Sequence, residues 1–215
     1  VTAIVVQFGG HTRPLPPKAL LDDVPGKFIA APELSDWFRA VFIEEGGPLY
    51  NTEHEHLQAA SIGALWTTAG NSRHGRSIIG QAELGEPRGM GKWARARSRQ
   101  QIVEWFGEEP DFIMTIGAHY AAECSDIEFC ALIEHELMHM GQAIDMFGAP
   151  KFTKSGRPVF SMRGHDVEEF VGVVARYGAT ATGTAALVEA ANKGPEIGSV
   201  RIAQACGTCQ ERRVA

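Results

Sequence analysis

Residues His135-Glu136-Leu137-Met138-His139 place two histidines four positions apart, with a glutamate directly after the first. In a helix, side chains at i and i+4 are neighbours on one face, so two imidazoles at this spacing can converge on one divalent ion, whereas in a strand the same spacing sets them roughly 13 Å apart. The flanking pattern agrees. Ser125 or Asp126 can cap a helix start, and Ile127, Cys130, Leu137, Met140 and Ile144 recur at helical spacing as far as the break at Gly148-Ala149-Pro150. Glu136, one position round the helix, points beside such an ion, where a carboxylate can accept a proton from a metal-activated water.

Two histidines do not complete a catalytic metal site, which takes three protein ligands and keeps one position open. The third must come from elsewhere in the chain. His165 follows the turn at Gly164 and directly precedes a helix expected over about residues 166 to 177. One intervening hairpin, Lys151 to Met162 around Lys154-Ser155-Gly156-Arg157, can carry the chain back across the motif helix. Glu168 and Glu169 are the alternatives. Glu169 also lies three residues after Asp166, the spacing of a capping box, so the helix start competes for it. Asp166, Glu168 and Glu169 otherwise suit the role of acceptor for a ligand imidazole's second N–H. Arg176 and Tyr177 lie on the same downstream helix and receive no assigned role.

The 215 residues, 44% apolar and 21% charged, suffice for a buried core and match a globular protein rather than a disordered one. We divide them into an irregular N-terminal arm over 1–32, a catalytic domain over 33–193 and a tail over 194–215 packed on that domain. The arm is punctuated by Gly9, Gly10, Pro14, Pro16, Pro17, Pro25 and Gly26, with a short strand at Ile4 to Phe8. Leu34, Trp37, Phe38, Val41 and Phe42 predict a helix closed by Gly46-Gly47-Pro48. Asn51 is read as the cap of a second helix that buries Leu57, Ala60, Ile62, Ala64, Leu65 and Trp66 and ends near Gly70. Arg76 to Leu84 and Asp111 to Gly117 read as strands, and Ala179 onward as a short helix reaching Asn192. Lys92 to Phe106 reads as a helix with Trp93, Ala96, Val103 and Phe106 inward.

Cys206-Gly207-Thr208-Cys209 has the two-residue gap of a zinc knuckle but supplies only half a site. Cys124 and Cys130 would complete a four-thiolate structural zinc site that ties the tail to the start of the motif helix. Free thiols in a cytoplasmic setting are the plainer reading. Arg88, Lys92, Arg95, Arg97 and Arg99 form the conspicuous basic cluster. A solvated helix face accounts for it, and a formal charge of −6 opposes a general attraction to nucleic acid. Apolar runs such as Phe112 to Ile116 fall far short of the roughly 20 residues that cross a bilayer, so no membrane partner is expected.

Beyond the motif, several segments together resemble the family described as "putative phage metallopeptidase". They are Gly47-Pro48-Leu49-Tyr50-Asn51 with His54, Leu65-Trp66, Gly80-Gln81, Asp111-Phe112, Cys130-Ala131-Leu132 leading into the motif, Gly148-Ala149-Pro150-Lys151-Phe152, His165-Asp166-Val167-Glu168-Glu169-Phe170, Arg176-Tyr177-Gly178 and Cys206-Gly207-Thr208-Cys209. The resemblance spans about Phe28 to Cys209. It implies an α/β (α+β) zincin-like metallopeptidase fold, a small sheet packed beside the motif helix, and an origin in a phage or prophage. One extended signature of zinc peptidases carries a third histidine six residues after the second; here that position is Asp145, which leaves the third ligand to the downstream segment.

The expectation is therefore a zinc metallopeptidase. One catalytic Zn2+ is held by His135, His139 and His165, with Glu136 as general base and a peptide or protein as substrate, acting in the cytoplasm of a host cell. Two other readings stay open: a non-catalytic, zinc-stabilised phage structural or assembly protein, with a phage protein partner or a place in the virion, and a nucleic-acid-associated protein using the basic helix.

Overall fold

A computed structural model describes residues 10–22, 25–73, 76–89, 91–167, 171–180, 184–198 and 205–206. The expected strand at Ile4 to Phe8 lies outside them. Along the chain run α1 (Lys18–Leu21), β1 (Phe28–Ala30), α2 (Pro32–Phe38), a π-helical continuation Arg39–Ile43 and a 3-10 helix Thr52–Ala59. Then come β2 (Ile62–Thr67), β3 (Ser72–Arg73), β4 (Arg76–Leu84), α3 (Lys92–Phe106), β5 (Phe112–Gly117), α4 (Ala118–Glu123) and α5 (Asp126–Met138). A two-stranded sheet of β6 (Met140–Gln142) and β7 (Phe160–Met162) precedes α6 (Val171–Tyr177), α7 (Ala185–Lys193) and β8 (Ala205–Cys206).

The main sheet has the order β1-β2-β5-β4-β3, with β8 also paired to β4. β2 and β5 are parallel, whereas β1 with β2 and β4 with β5 are antiparallel, so the fold is mixed α/β. Strand alternation sorts β5 cleanly between two faces. Phe112, Met114 and Ile116 join the large core with α2 and α5, while Ile113 and Leu65 face Ile102, Trp105 and Phe106 of α3. Within the large core the Phe129 ring of α5 lies 5.6 Å from Trp37 and 6.2 Å from Trp66, which pins α5 to the sheet.

Three expectations change here. The stretch from Ile62 to Trp66 is a strand, not the second half of a helix: Asn51 does cap, accepting from the Glu53 N–H at 3.0 Å, but the helix it starts ends at Ala59. All of Ile62–Thr67 is buried between two layers, and a short continuous apolar run has no period to separate strand from helix. On α3 the inward stripe is Ala94, Ser98, Ile102, Trp105 and Phe106, whereas Trp93 is 88% exposed, Ala96 is exposed and Val103 is 41% exposed. The helix docks through its last turns, and Trp93 sits one position off that stripe. Finally, α5 stops at Met138 rather than running to Gly148. Met140 is wholly buried and Met140, Gly141 and Gln142 pair with Met162, Ser161 and Phe160, so the apolar positions beyond His139 belong to a strand and hairpin.

The start of α5 follows its sequence. Ser125 Oγ accepts from the Glu128 N–H at 3.3 Å while Glu128 Oε2 accepts from the Ser125 N–H at 2.9 Å, a closed capping box. The Ser125 backbone N–H, and then the Ser125 hydroxyl donating to the same Oε2 at 2.8 Å, hold Glu128 below the usual carboxylate range. The Arg13 guanidinium pairs with Asp126 at 3.2 Å and lies 4.8 Å over the Phe129 ring, tying the N-terminal segment to the first turn. Ser125→Ala should therefore lower stability by about 1 kcal/mol, read as a shift of the urea midpoint at unchanged slope.

His54, in the 3-10 helix, is fully buried, and neither ring nitrogen has a hydrogen-bond partner among the described residues. Burial lowers its pKa from 6.5 to about 4, helped by the neighbouring His56. The folded state thus binds fewer protons at this ring than the unfolded chain does. Its contribution to stability is complete above pH 6.5 and is lost as pH falls from there towards about 4, at roughly 1.4 kcal/mol per pH unit at the steepest. Urea unfolding of His54→Leu across that window should show a flatter pH dependence than the parent chain; equal slopes would remove His54 as the cause.

Candidate metal centre

Ending α5 at Met138 makes His139 its C-cap, with φ −74° and ψ −18°, so the residue still projects from the last turn beside His135. The next residues turn away into β6. Continuing the β6–β7 register by one rung sets His139 opposite Arg163: the Arg163 N–H donates to the His139 carbonyl at 2.8 Å. The His139 ring closes a second link, Nδ1 to the Arg163 carbonyl oxygen at 2.8 Å. A carbonyl only accepts, so Nδ1 carries the proton and Nε2 keeps its lone pair.

That lone pair faces His135, whose Nε2 lies 3.2 Å away. Two residues beyond Arg163, the chain brings in His165. The three rings stand with centroids 4.9, 5.2 and 5.0 Å apart, and one ligand nitrogen from each lies within 4.8 Å of the others. Nitrogens bound tetrahedrally at about 2.0–2.1 Å from one ion sit roughly 3.3 to 3.4 Å from each other. The His135–His139 spacing thus fits a shared divalent ion, and this is the group of three or more potential ligands found among the described residues. His135 is half-buried, His139 is buried at 2% exposure and His165 is exposed, so the cluster has a protein wall and a solvent side.

Glu136, the residue after His135 on α5, is fully buried. It lies over β4 at Gly80, where an added Cβ would stand 2.8 Å from Glu136 Oε1 and 2.8 Å from Leu132 Cδ1. Glycine is required there by space, not by backbone angle. The sequence signal was present, since a glycine inside a strand marks a close approach, but what approaches could not be read from it. Arg163 was missed outright, because its two contacts with His139 run through backbone atoms that any residue carries.

The remaining sequence candidates divide. Glu168 and Glu169, the alternative third ligands, lie outside the described residues, and Asp166 is bound to Arg163 Nη2 at 2.8 Å. Cys124 and Cys130 are free thiols whose pKa values burial raises, that of Cys130 to about 12. The Arg13 guanidinium lies 3.5 Å from Cys124 Sγ. Cys206 contributes a strand residue beside Gly80, and Cys209 lies outside the described residues, so a four-thiolate site is not assembled among them. In the basic cluster Arg99 pairs with Glu109 and Glu86 and Arg88 with Glu86, which neutralises part of its charge. Tyr177 is 65% exposed, with Arg176 stacked on its ring. Among the described residues no helix is long and apolar enough to cross a membrane.

Neither the curated proteins nor the solved structures contain a match to the chain. A family model does match, over residues 35–192, an interval that runs from the first turn of α2 almost to the end of α7 and includes every residue of the histidine cluster. With its motif helix, its clustered imidazoles and most of its length inside that match, the chain belongs to the family described as "Putative phage metallopeptidase".

Proposed function

We propose that the chain is a zinc-dependent peptidase in which His135, His139 and His165 hold the ion and Glu136 is the general base. The observation that carries this reading is the convergence within 4.8 Å of three imidazole nitrogens, two from the end of α5 and one from the segment after β7, with a fully buried carboxylate next to His135 in the chain. Three neutral nitrogen donors suit zinc, and three protein ligands leave one position for a water or a substrate oxygen. Bound there, the ion would lower the pKa of water and polarise a substrate carbonyl.

The protein's own groups supply the rest. Glu136 takes a proton from the attacking water and delivers it to the leaving nitrogen, so that the C–N bond breaks without a covalent enzyme intermediate. Burial of Glu136 against Gly80 and Leu132 fixes one rotamer and keeps bulk water from competing for the carboxylate. The His139 Nδ1–H···O=C bond to Arg163 holds the tautomer in which Nε2 presents a lone pair to the metal position. An exposed His165 leaves the solvent side open to a peptide, which favours an enzyme over a closed structural site.

Glu136→Gln should retain one zinc per chain and lose hydrolysis of a fluorogenic peptide library by at least about 100-fold, since the ligands survive and the base does not. A glutamine variant as fast as the parent would end the mechanism. His165→Ala should weaken zinc binding measured by chelator competition; unchanged affinity would move the third ligand to Glu168 or Glu169.

A further inference from the structure

Arg163 makes connections to several pieces of chain around the metal centre. Its backbone brackets His139, as described. Its guanidinium reaches two further pieces of chain: Nη1 donates to Glu53 Oε2 at 3.1 Å, and Nη2 donates to Asp166 Oδ1 at 2.8 Å. Nη1 also lies 3.8 Å from Met138 Sδ, on the last turn of α5. Glu53 belongs to the 3-10 helix, which is itself fixed to the end of α5, because Asn51 Nδ2 donates to Glu134 Oε1 at 3.0 Å and His56 Nε2 meets the Met140 carbonyl oxygen at 2.7 Å.

His165 sits inside the loop that this guanidinium closes. Residues 163 to 167 have no regular secondary structure, and His165 is exposed, with its ring 5.2 Å from that of His135 and 5.0 Å from that of His139. The Arg163–Asp166 pair spans the histidine on both sides, and Glu53 anchors the same guanidinium to a fixed element. Arg163, Asp166 and Glu53 side chains are 40%, 77% and 54% exposed, so the pairs add little to global stability. They do restrict the backbone on either side of one ligand. A planar guanidinium can hold two carboxylates in fixed directions at once, which an ammonium does not do.

We propose that Arg163 is a positioning residue that, with Glu53 and Asp166, preorganises His165 as the third metal ligand. The proposal rests on the metal-site reading above. Its mechanism is entropic: the loop is ordered before the ion arrives, so binding does not have to order it.

The test uses the full chain and zinc alone, with chelator competition for affinity and cobalt(II) absorption for ligand geometry. Arg163→Ala should weaken zinc about 10- to 100-fold, the range seen when partners of metal ligands are removed, while the thermal midpoint of the metal-free chain moves little. Arg163→Lys should recover only part of that loss. Glu53→Ala and Asp166→Ala should each weaken binding in the same direction, and they keep the proposal testable if Arg163→Ala does not fold. Raising salt from 50 mM to 1 M should narrow the gap between the parent and Arg163→Ala, because the exposed pairs are screened. The decisive arm is the double variant: in a His165→Ala background, Arg163→Ala should cause no further loss and leave the cobalt spectrum unchanged.

Zinc affinity within twofold of the parent in all three truncations, or additive losses in the double variant, would overturn the clamp while leaving the three-histidine site in place. A parent chain that binds no zinc, or a His135→Ala variant that binds it as tightly as the parent, would instead overturn the site reading and the clamp with it.

Discussion

A carboxylate with no exposed surface, carried on a helix that lies against a sheet, is a demanding arrangement, and the packing of α5 on β4 is organised around it. Glu136 and Leu132, one turn apart, both descend on Gly80, where any side chain would collide with them. The sheet is therefore indented at one residue, and the indentation sets how close α5 can come. Phe129 completes the contact by wedging its ring among Trp37 and Trp66 two turns earlier. With the helix held at both places, the face bearing His135 and His139 turns away from the core. Desolvating an acid is expensive, and folds retain such groups chiefly where chemistry needs them.

The parts of the site that were readable from sequence are those whose geometry is local. The i, i+4 histidines and the adjacent glutamate follow from helix periodicity, and the helix start from the capping residues Ser125 and Asp126, whereas the Glu128 half of the capping box came with the structure. The end of α5 was not readable. Met140 and Ile144 continue a plausible helical stripe, and nothing nearby forbids the helix; it stops because Met140 to Gln142 find a β partner twenty residues later in the chain, and long-range pairing overrides local preference. The same competition turned Ile62 to Thr67 into a strand between two layers. Trp93 fails for a different reason: periodicity gives the phase of a helix only when several apolar positions agree, and α3 offers two nearly equal phases until the sheet selects the one containing Ile102 and Phe106.

The end of the helix is also what lets three histidines meet. Had α5 continued as helix through Ile144, the chain would have left along the helix axis and placed later residues a turn or more from His139. By capping at His139 and entering β6, the chain folds back so that β7 runs antiparallel beside it. The sums of paired positions are constant in such a ladder, and Met140 with Met162 is followed by His139 with Arg163. His165 then lies only two residues past the rung that holds His139. The position of His165 in space is thereby linked to strand register rather than to a distant loop.

Register has a further consequence for fidelity. A one-residue slip of β7 would present each β7 side chain to the opposite face and would bring a different carbonyl to His139 Nδ1. Gly141 guards against this, because an added Cβ at that position would stand 3.1 Å from Arg163 Cβ and 3.3 Å from the Ser161 carbonyl oxygen, so the observed register packs the two strands as tightly as a glycine allows. Met140 and Phe160 meanwhile reach into the large core, with the Phe160 ring 5.4 Å from Phe112 of β5. The small sheet is thus locked to the main one through side chains, and the same ladder that fixes the histidine tautomer is anchored in the hydrophobic interior. Ligand geometry, tautomer and core packing are in this way one structural constraint, carried by six residues of β-structure on either side of an exposed hairpin.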